Sequence, residues 1–305
     1  AELLNRKTGK AGSQRLGGCT VENQPGQPPI RVQLWDDNPD VLLRAAETTL
    51  AEFQPAHIDL NFGCPASRVM RKGSGAKLLG DPKRIEHITA LLVSKLSAPV
   101  SIKIRLGPAV GQDTSLDVLH AAENAGAAFI VIHGRYGDQR FTGKADWDAI
   151  ARLKSVARIP VIGNGDLKTP DDIVYALKTY GVDGIMAARA LIDKPWLFRD
   201  AKRLADGLPP VPQPTLAEQK TLLRNHFNML LDCDGERSAV WRIRSAAIRY
   251  GRGAPGIKFF RDRAMAATTA DAFIQALELF PSDPEGGIAA DATESTTTNR
   301  TACHV

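Results

Sequence analysis

Residues 58–65 read Ile58-Asp59-Leu60-Asn61-Phe62-Gly63-Cys64-Pro65. Apolar and polar residues alternate as far as Asn61, as along a half-buried strand, and the run breaks at Gly63, leaving the Cys64 thiol on the turn that follows. A side chain at the carboxyl end of a buried strand is held by the scaffold yet presented to whatever occupies the mouth. A cysteine is more often a small buried core residue. The flanking Asn, Gly and Pro favour a turn here.

Working outward, the same unit recurs. Strand candidates at Ile30–Leu34, His57–Asn61, Val100–Arg105, Phe129–His133, Pro160–Asn164 and Gly184–Ala187 alternate with helix-period stretches such as Pro39–Phe53, Pro82–Leu96 and Pro170–Tyr180. Strands at this spacing with helices between them must run parallel, and right-handed crossovers then give an open doubly wound sheet or a closed barrel. Gln33, Asn61, Lys103, Arg105, His133, Asn164 and Arg189 fall at or just past the carboxyl ends of their strands. Convergence on one mouth favours an α/β fold of the (β/α)8 TIM type over a crevice in an open sheet. Such a barrel needs eight strands, and the sequence offers six. Residues 1–28 read as a loop and a frayed helix, and the first residue is not Met. The expectation is a barrel whose first two strands, roughly 30–40 residues, are missing from this sequence; a six-unit open sheet is the alternative.

A chain of 305 residues, 43% apolar and 24% charged, can bury one large core and a small satellite, which excludes fibrous and wholly disordered classes. Its apolar runs fall well short of the ~20 residues of a membrane span, so a cytoplasmic protein with no membrane association is expected. Cys19, Cys64, Cys233 and Cys303 are scattered without a Cys-x-x-Cys pair, so neither a disulfide framework nor a metal site is expected.

The segment Asp206-Gly-Leu-Pro-Pro-Val-Pro-Gln-Pro214 cannot be a helix interior and reads as a semi-rigid linker. The expected organisation is a barrel over 1–205, a linker over 206–214, a helical module over 215–280 and a disordered tail over 281–305. The tail is rich in Ser, Thr, Asp, Glu and Ala and contains Cys303 and His304, to which no role is given. Helical patterns cover about Leu216–Leu231, Arg237–Arg249, Ile257–Met265 and Ala270–Leu279. The net charge of +5 concentrates there: Arg237, Arg242, Arg244, Arg249, Arg252, Lys258, Arg261 and Arg263 stand against Asp262 alone, interleaved with Trp241, Tyr250, Phe259 and Phe260. Such a run is either a solvated helix face or a surface that grips phosphates and stacks unpaired bases.

The motifs Val32-Gln33-Leu34, Asp59-Leu60-Asn61-Phe62-Gly63-Cys64-Pro65, Ile102-Lys103-Ile104-Arg105-Leu106-Gly107, Ile132-His133-Gly134-Arg135, Asn164-Gly165-Asp166 and Ala188-Arg189 occur in order on successive strand ends. In this set and in the basic helical module after it, about residues 30–280 resemble the bacterial tRNA-dihydrouridine synthases, FMN-dependent barrel flavoproteins with a helical RNA-binding domain. The resemblance implies a cytoplasmic oxidoreductase, expected to be a monomer, that reduces the C5–C6 double bond of uridines in tRNA. Hydride passes from flavin N5 to C6, and NADPH or NADH is the reductant. It implies that Cys64 is the acid that protonates C5; an ordinary thiol is largely protonated at neutral pH and needs no tuning for this. By the same resemblance Gln33, Lys103 and His133 contact the flavin, Asn164, Gly165, Asp166, Ala188 and Arg189 form its phosphate site, and Asn61 and Arg105 face the substrate base. Arg242, Arg244, Arg249, Lys258 and Arg261 are expected to bind the tRNA. The basic loop Ala66–Leu79 is expected to close over flavin and base.

Two departures from the family pattern stand out. Its opening strand with an Ala-Pro-Met motif has no counterpart here, and Ala188 stands where the family more often has Gly. Two other functions stay open: an FMN barrel oxidoreductase acting on a small molecule, and an inactive tRNA-binding protein if the barrel is truly truncated.

Overall fold

The computed structural model describes Arg15–Leu16, Cys19–Thr20 and residues 30–283. The expectations for most of residues 1–28, and for the tail beyond residue 283 with Cys303 and His304, lie outside the described residues. The chain divides into two compact units with a boundary between Val211 and Pro212.

In the first unit, a short antiparallel pair, β1 (Arg15–Leu16) and β2 (Cys19–Thr20), precedes a six-stranded sheet. Its strands are β3 (Arg31–Leu34), β4 (His57–Asn61), β5 (Val100–Arg105), β6 (Ile130–His133), β7 (Val161–Asn164) and β8 (Gly184–Met186). They pair in chain order and all are parallel. Each boundary agrees with the reading from sequence to within one residue. One face of the central strands is packed throughout: Ile58, Leu60, Ile102, Ile104, Ile130 and Ile132 are fully buried. Each such side chain contributes about 1.5–3 kcal/mol by leaving water. The edge strands β3 and β8 do not pair with one another, yet Gln33 and Met186 line the same cavity of about 660 Å³, so the sheet curls.

The helices start where capping chemistry dictates. Asn38, Asp81 and Thr169 each precede a proline, and each side chain accepts a hydrogen bond from an exposed N–H of the first turn of α1 (Pro39–Phe53), α3 (Pro82–Lys95) or α6 (Pro170–Tyr180). Thr169 and Asp172 complete a capping box. Helices α4 (Ser115–Asn124) and α5 (Trp147–Val156) complete the crossovers to β6 and β7. Two helices follow β8 that the sequence reading did not draw, α7 (Arg189–Asp193) and α8 (Leu197–Ala205).

The segment expected to be a basic loop closing over flavin and base, Ala66–Leu79, is largely regular. It forms α2 (Ser67–Met70) and a 3-10 turn over Gly75–Gly80, with Ala76 and Leu79 fully buried. These apolar residues anchor its second half in the core.

In the second unit, described by itself, α9 (Leu216–Asp234), α10 (Glu236–Ala247), α11 (Ile257–Ala266) and α12 (Ala270–Leu277) enclose their own core. Phe227 packs on Phe273 at 4.5 Å and Phe260 on Phe280 at 5.0 Å between ring centroids. Thr215 and Glu218 form a capping box at the start of α9.

Candidate active site

The register brings the strand-end side chains together. Asn61 stands opposite Lys103, Arg105 opposite His133, and His133 opposite Asn164. Because residues two apart on a strand share a face, Asp59 with Asn61 and Lys103 with Arg105 point to the same side of the sheet.

Gln33, Asp59 and Asn61 are joined directly. Gln33 Nε2 donates to Asp59 Oδ2 at 2.6 Å, and Gln33 Oε1 accepts from Asn61 Nδ2 at 2.7 Å. Asn61 Oδ1 accepts from the backbone N–H groups of Gly63 at 3.1 Å and Cys64 at 2.9 Å. This turn holds the Cys64 thiol, which is free and partly exposed, at the end of β4. Gly63 allows the close passage of β5 behind it, since a Cβ would lie 3.0 Å from the Ile104 carbonyl carbon.

Lys103 Nζ donates to Asn164 Oδ1 at 3.3 Å, and Asn164 Nδ2 donates to the Met186 carbonyl at 2.6 Å. Burial pulls the Lys103 ammonium down to about 8; Asp59 and Cys64 oppose the shift and Arg105 adds to it. The Arg105 guanidinium, buried, donates to the Gly63 carbonyl at 2.9 Å and the Tyr136 carbonyl at 2.8 Å, so it ties two loops together.

Burial, then the charges of Arg105, Lys103 and Arg135, hold His133 at about 3, well below its ordinary range, with Asp166 opposing weakly. Its ring is therefore neutral at working pH. Arg135 Nη1 lies 3.3 Å from His133 Nε2, and a guanidinium carries only donors, so Nε2 accepts and the ring proton sits on Nδ1. Arg135 is buried and reaches across to Asp166 with both terminal nitrogens, at 3.0 and 2.7 Å. Asp166 also accepts from Ala145 N at 2.8 Å and lies 3.5 Å from Arg189. Its carboxylate is thus spent on cations and backbone. Gly165, at φ +134°, packs so closely that a Cβ would come 2.5 Å from Ala145 Cβ and 3.2 Å from the His133 ring. Ala188 caps the first turn of α7, and both it and Arg189 are exposed.

Three residues that sequence reasoning did not assign belong to this group. Arg135 was legible only as part of His-Gly-Arg, and Asp59 only as the residue one alternation inside Asn61. Phe141 carried no signal; it is an exposed ring at the mouth with Arg189 4.8 Å and Arg105 5.9 Å from its centroid.

The basic helices are less uniform than their composition. Arg242 pairs with Asp234, Arg244 donates to the Ala267 carbonyl, and Arg261 is half-buried, whereas Lys258 is exposed. Arg249 is half-buried as well.

A curled parallel sheet with amides, cations and one thiol gathered at the carboxyl ends of its strands defines a TIM-barrel-like α/β protein with its site at the strand ends. The chain belongs to the dihydrouridine synthase family, whose model, described as Dihydrouridine synthase (Dus), matches residues 11–282. It is 36% identical over 231 residues to a probable tRNA-dihydrouridine synthase of Mycobacterium tuberculosis, covering 74% of this chain and 59% of the relative. It is 31% identical to probable tRNA-dihydrouridine synthase 1 of Synechocystis, covering 80% of this chain and 68% of the relative. It is 34% identical to tRNA-dihydrouridine synthase B of Pseudomonas putida, covering 77% and 69%. The chain thus spans about three fifths of the length of the mycobacterial relative. Among the described residues no helix is long and apolar enough to cross a membrane, and no cluster of His, Cys, Asp and Glu could hold a metal ion.

Proposed function

We propose that the protein is a cytoplasmic, monomeric tRNA-dihydrouridine synthase that uses FMN and NADPH or NADH, built on a (β/α)8-type barrel. The observation that carries this reading is the hydrogen-bonded wall Gln33–Asn61–Cys64 facing Lys103 across β4 and β5, in a chain of the dihydrouridine synthase family.

The donor set fits a flavin. Among the described residues Lys103 has one hydrogen-bond partner, Asn164, and so keeps N–H donors for an electron-rich ring edge, while Gln33 and Asn61 each keep one amide N–H beyond those committed to Asp59 and to one another. Gly165, at the end of β7, has no room for a Cβ beside Ala145 and His133, which sets the path of the backbone at the corner proposed for the phosphate. Asp166 supports that corner indirectly, by holding Arg135 and drawing on Arg189. When bound, FMN supplies the hydride for C6 of the uracil ring, at the expense of NADPH or NADH.

The chain's own residues do the rest. Cys64 Sγ carries the proton for C5, and the turn built on Asn61 fixes where that thiol stands. Asn61 Nδ2 offers its second N–H to a uracil carbonyl. His133, neutral, offers Nδ1–H. Lys103 balances negative charge that develops in the mouth. The helices α9–α12 bind tRNA, with Lys258 and the outer edges of Arg242, Arg249 and Arg261 as contacts and Arg244 chiefly internal. The target uridine leaves its stack to reach the site.

The test is the dihydrouridine content of tRNA from a strain lacking the gene, complemented with wild type or Cys64→Ala. Wild type restores dihydrouridine, and Cys64→Ala retains yellow colour but restores almost none. A colourless wild-type protein that shifts tRNA in a salt-dependent way would support the binding-only alternative instead.

A further inference from the structure

Asp59 sits on the inner face of β4, two residues before Asn61, and is 8% exposed. Its Oδ1 accepts from Ser101 Oγ at 2.5 Å and its Oδ2 from Gln33 Nε2 at 2.6 Å. A carboxamide has nearly the same shape either way round, so its neighbours decide which end faces which. A carboxylate only accepts, so Asp59 turns the Gln33 amino group toward itself and leaves Gln33 Oε1 toward Asn61. Asn61 must then offer Nδ2 to Gln33, which puts Asn61 Oδ1 against the N–H groups of Gly63 and Cys64. Each orientation forces the next. Reversing the chain would set the Asn61 amino group against two backbone donors and open the turn.

We propose that Asp59 is a positioning residue whose carboxylate sets the direction of the Gln33–Asn61 amide pair and thereby holds the backbone turn that carries Cys64. It acts through the side chains of Gln33 and Asn61. The same direction makes this wall of the mouth present N–H donors, which matches the carbonyl edges of a uracil or flavin ring. The consequence for turnover rests on the proposed function; the consequence for the turn does not.

The test compares wild type, Asp59→Asn and the transposed pair Asp59→Asn with Gln33→Glu. In the single variant an amide can offer its amino group to Gln33, so the direction is no longer imposed by residue 59 and rests on the Gly63 and Cys64 N–H groups alone. In the transposed pair the new carboxylate at 33 accepts from both sides, so the direction at Asn61 is restored with unchanged net charge and almost unchanged shape. Hydrogen exchange of the Gly63 and Cys64 amides, read in the full-length protein, is expected to quicken about tenfold in Asp59→Asn and to return to near the wild-type rate in the pair. Alkylation of Cys64 by iodoacetamide should follow the same order. If wild type reduces tRNA uridines, kcat should fall roughly a hundredfold in the single variant with KM for tRNA held. Should Asp59→Asn fail to fold, wild-type exchange in the transposed pair still supports the proposal. Unchanged exchange in Asp59→Asn, or fast exchange that the transposition does not correct, overturns it. A wild type that makes no dihydrouridine counts against the proposed function alone, since exchange and alkylation are read without turnover.

Discussion

Arg135 and Asp166 face one another through a two-pronged ion pair, 3.0 and 2.7 Å long, in which the guanidinium is 2% exposed. The pair joins the end of β6 to the end of β7. Further bonds from Arg135 to the carbonyls of Thr142 at 3.1 Å and Gly143 at 2.7 Å fasten the intervening loop to it. Arg135→Met removes the two-pronged partner of Asp166, which keeps Ala145 N–H and Arg189, and the donor of two carbonyls, and is expected to cost about 2–4 kcal/mol in denaturant unfolding, toward the low end because Asp166 is partly exposed. Burial pushes the Asp166 carboxyl up, but bonds from Arg135 and Ala145 and the charges of Arg135 and Arg189 outweigh it and hold the group below its ordinary value of 3.8. Its folded pKa is depressed, so the stability it confers is complete above that ordinary value and drains away as pH falls further. Asp166→Asn should flatten that part of the acid-unfolding curve.

His133 gives a signature of the same sign at higher pH. Its folded pKa of about 3 lies below the ordinary 6.5, so the unfolded chain takes up a proton that the folded one refuses. Stability is then lost as pH drops from about 6.5 toward 3, by about 2 kcal/mol between pH 7 and 5. His133→Gln should remove that slope from chemical denaturation measured at the two pH values. The His133 imidazole resonances of wild type should not titrate between pH 5 and 8.

Lys103 is charged at a cost. Its folded pKa of about 8 lies below the ordinary 10.5, so the protein gains stability as pH rises from about 8 to 10.5 and the penalty of the buried ammonium is relieved. Lys103→Met should therefore be more stable than wild type at pH 7 without ligand, and the difference should shrink by about 1–2 kcal/mol at pH 9.5. The same variant should purify without yellow colour.

Gly75 backs the Cys64 turn at φ +64°, where a Cβ would lie 2.5 Å from the Cys64 carbonyl oxygen and 2.8 Å from Val69. Gly75→Ala is expected to cost about 2 kcal/mol or more and to push the Cys64 carbonyl off the Ala76 N–H, 3.0 Å away. Thermal unfolding checks the first effect, and faster alkylation of Cys64 the second.

What could be read from the sequence was local. Helices α1 and α6 were placed to the residue because Asn38-Pro39 and Thr169-Pro170 are self-contained start signals, and strand ends were placed because β-branched runs stop at Asn, Gly or Arg. The partners were not legible. Asp59 meets Gln33 26 residues away, and Arg135 meets Asp166 31 residues away, through strand register that no window of sequence contains. Counting cations in 237–263 could not separate Arg244, which bonds the Ala267 carbonyl, from Lys258, which faces solvent. The basic segment after Cys64 read as a loop because its charges, Arg68, Arg71, Lys72 and Lys77, hide the core residues Ala76, Leu78 and Leu79 interleaved with them.

The single guanidinium of Arg105 holds the Gly63 carbonyl and the Tyr136 carbonyl at once. For anyone recombining this protein with its relatives, the thiol loop and the loop after β6 form one heritable block. Exchanging either alone changes the length or path of a segment whose far end is pinned to the other, whereas exchanging both together, with the arginine, preserves the joint.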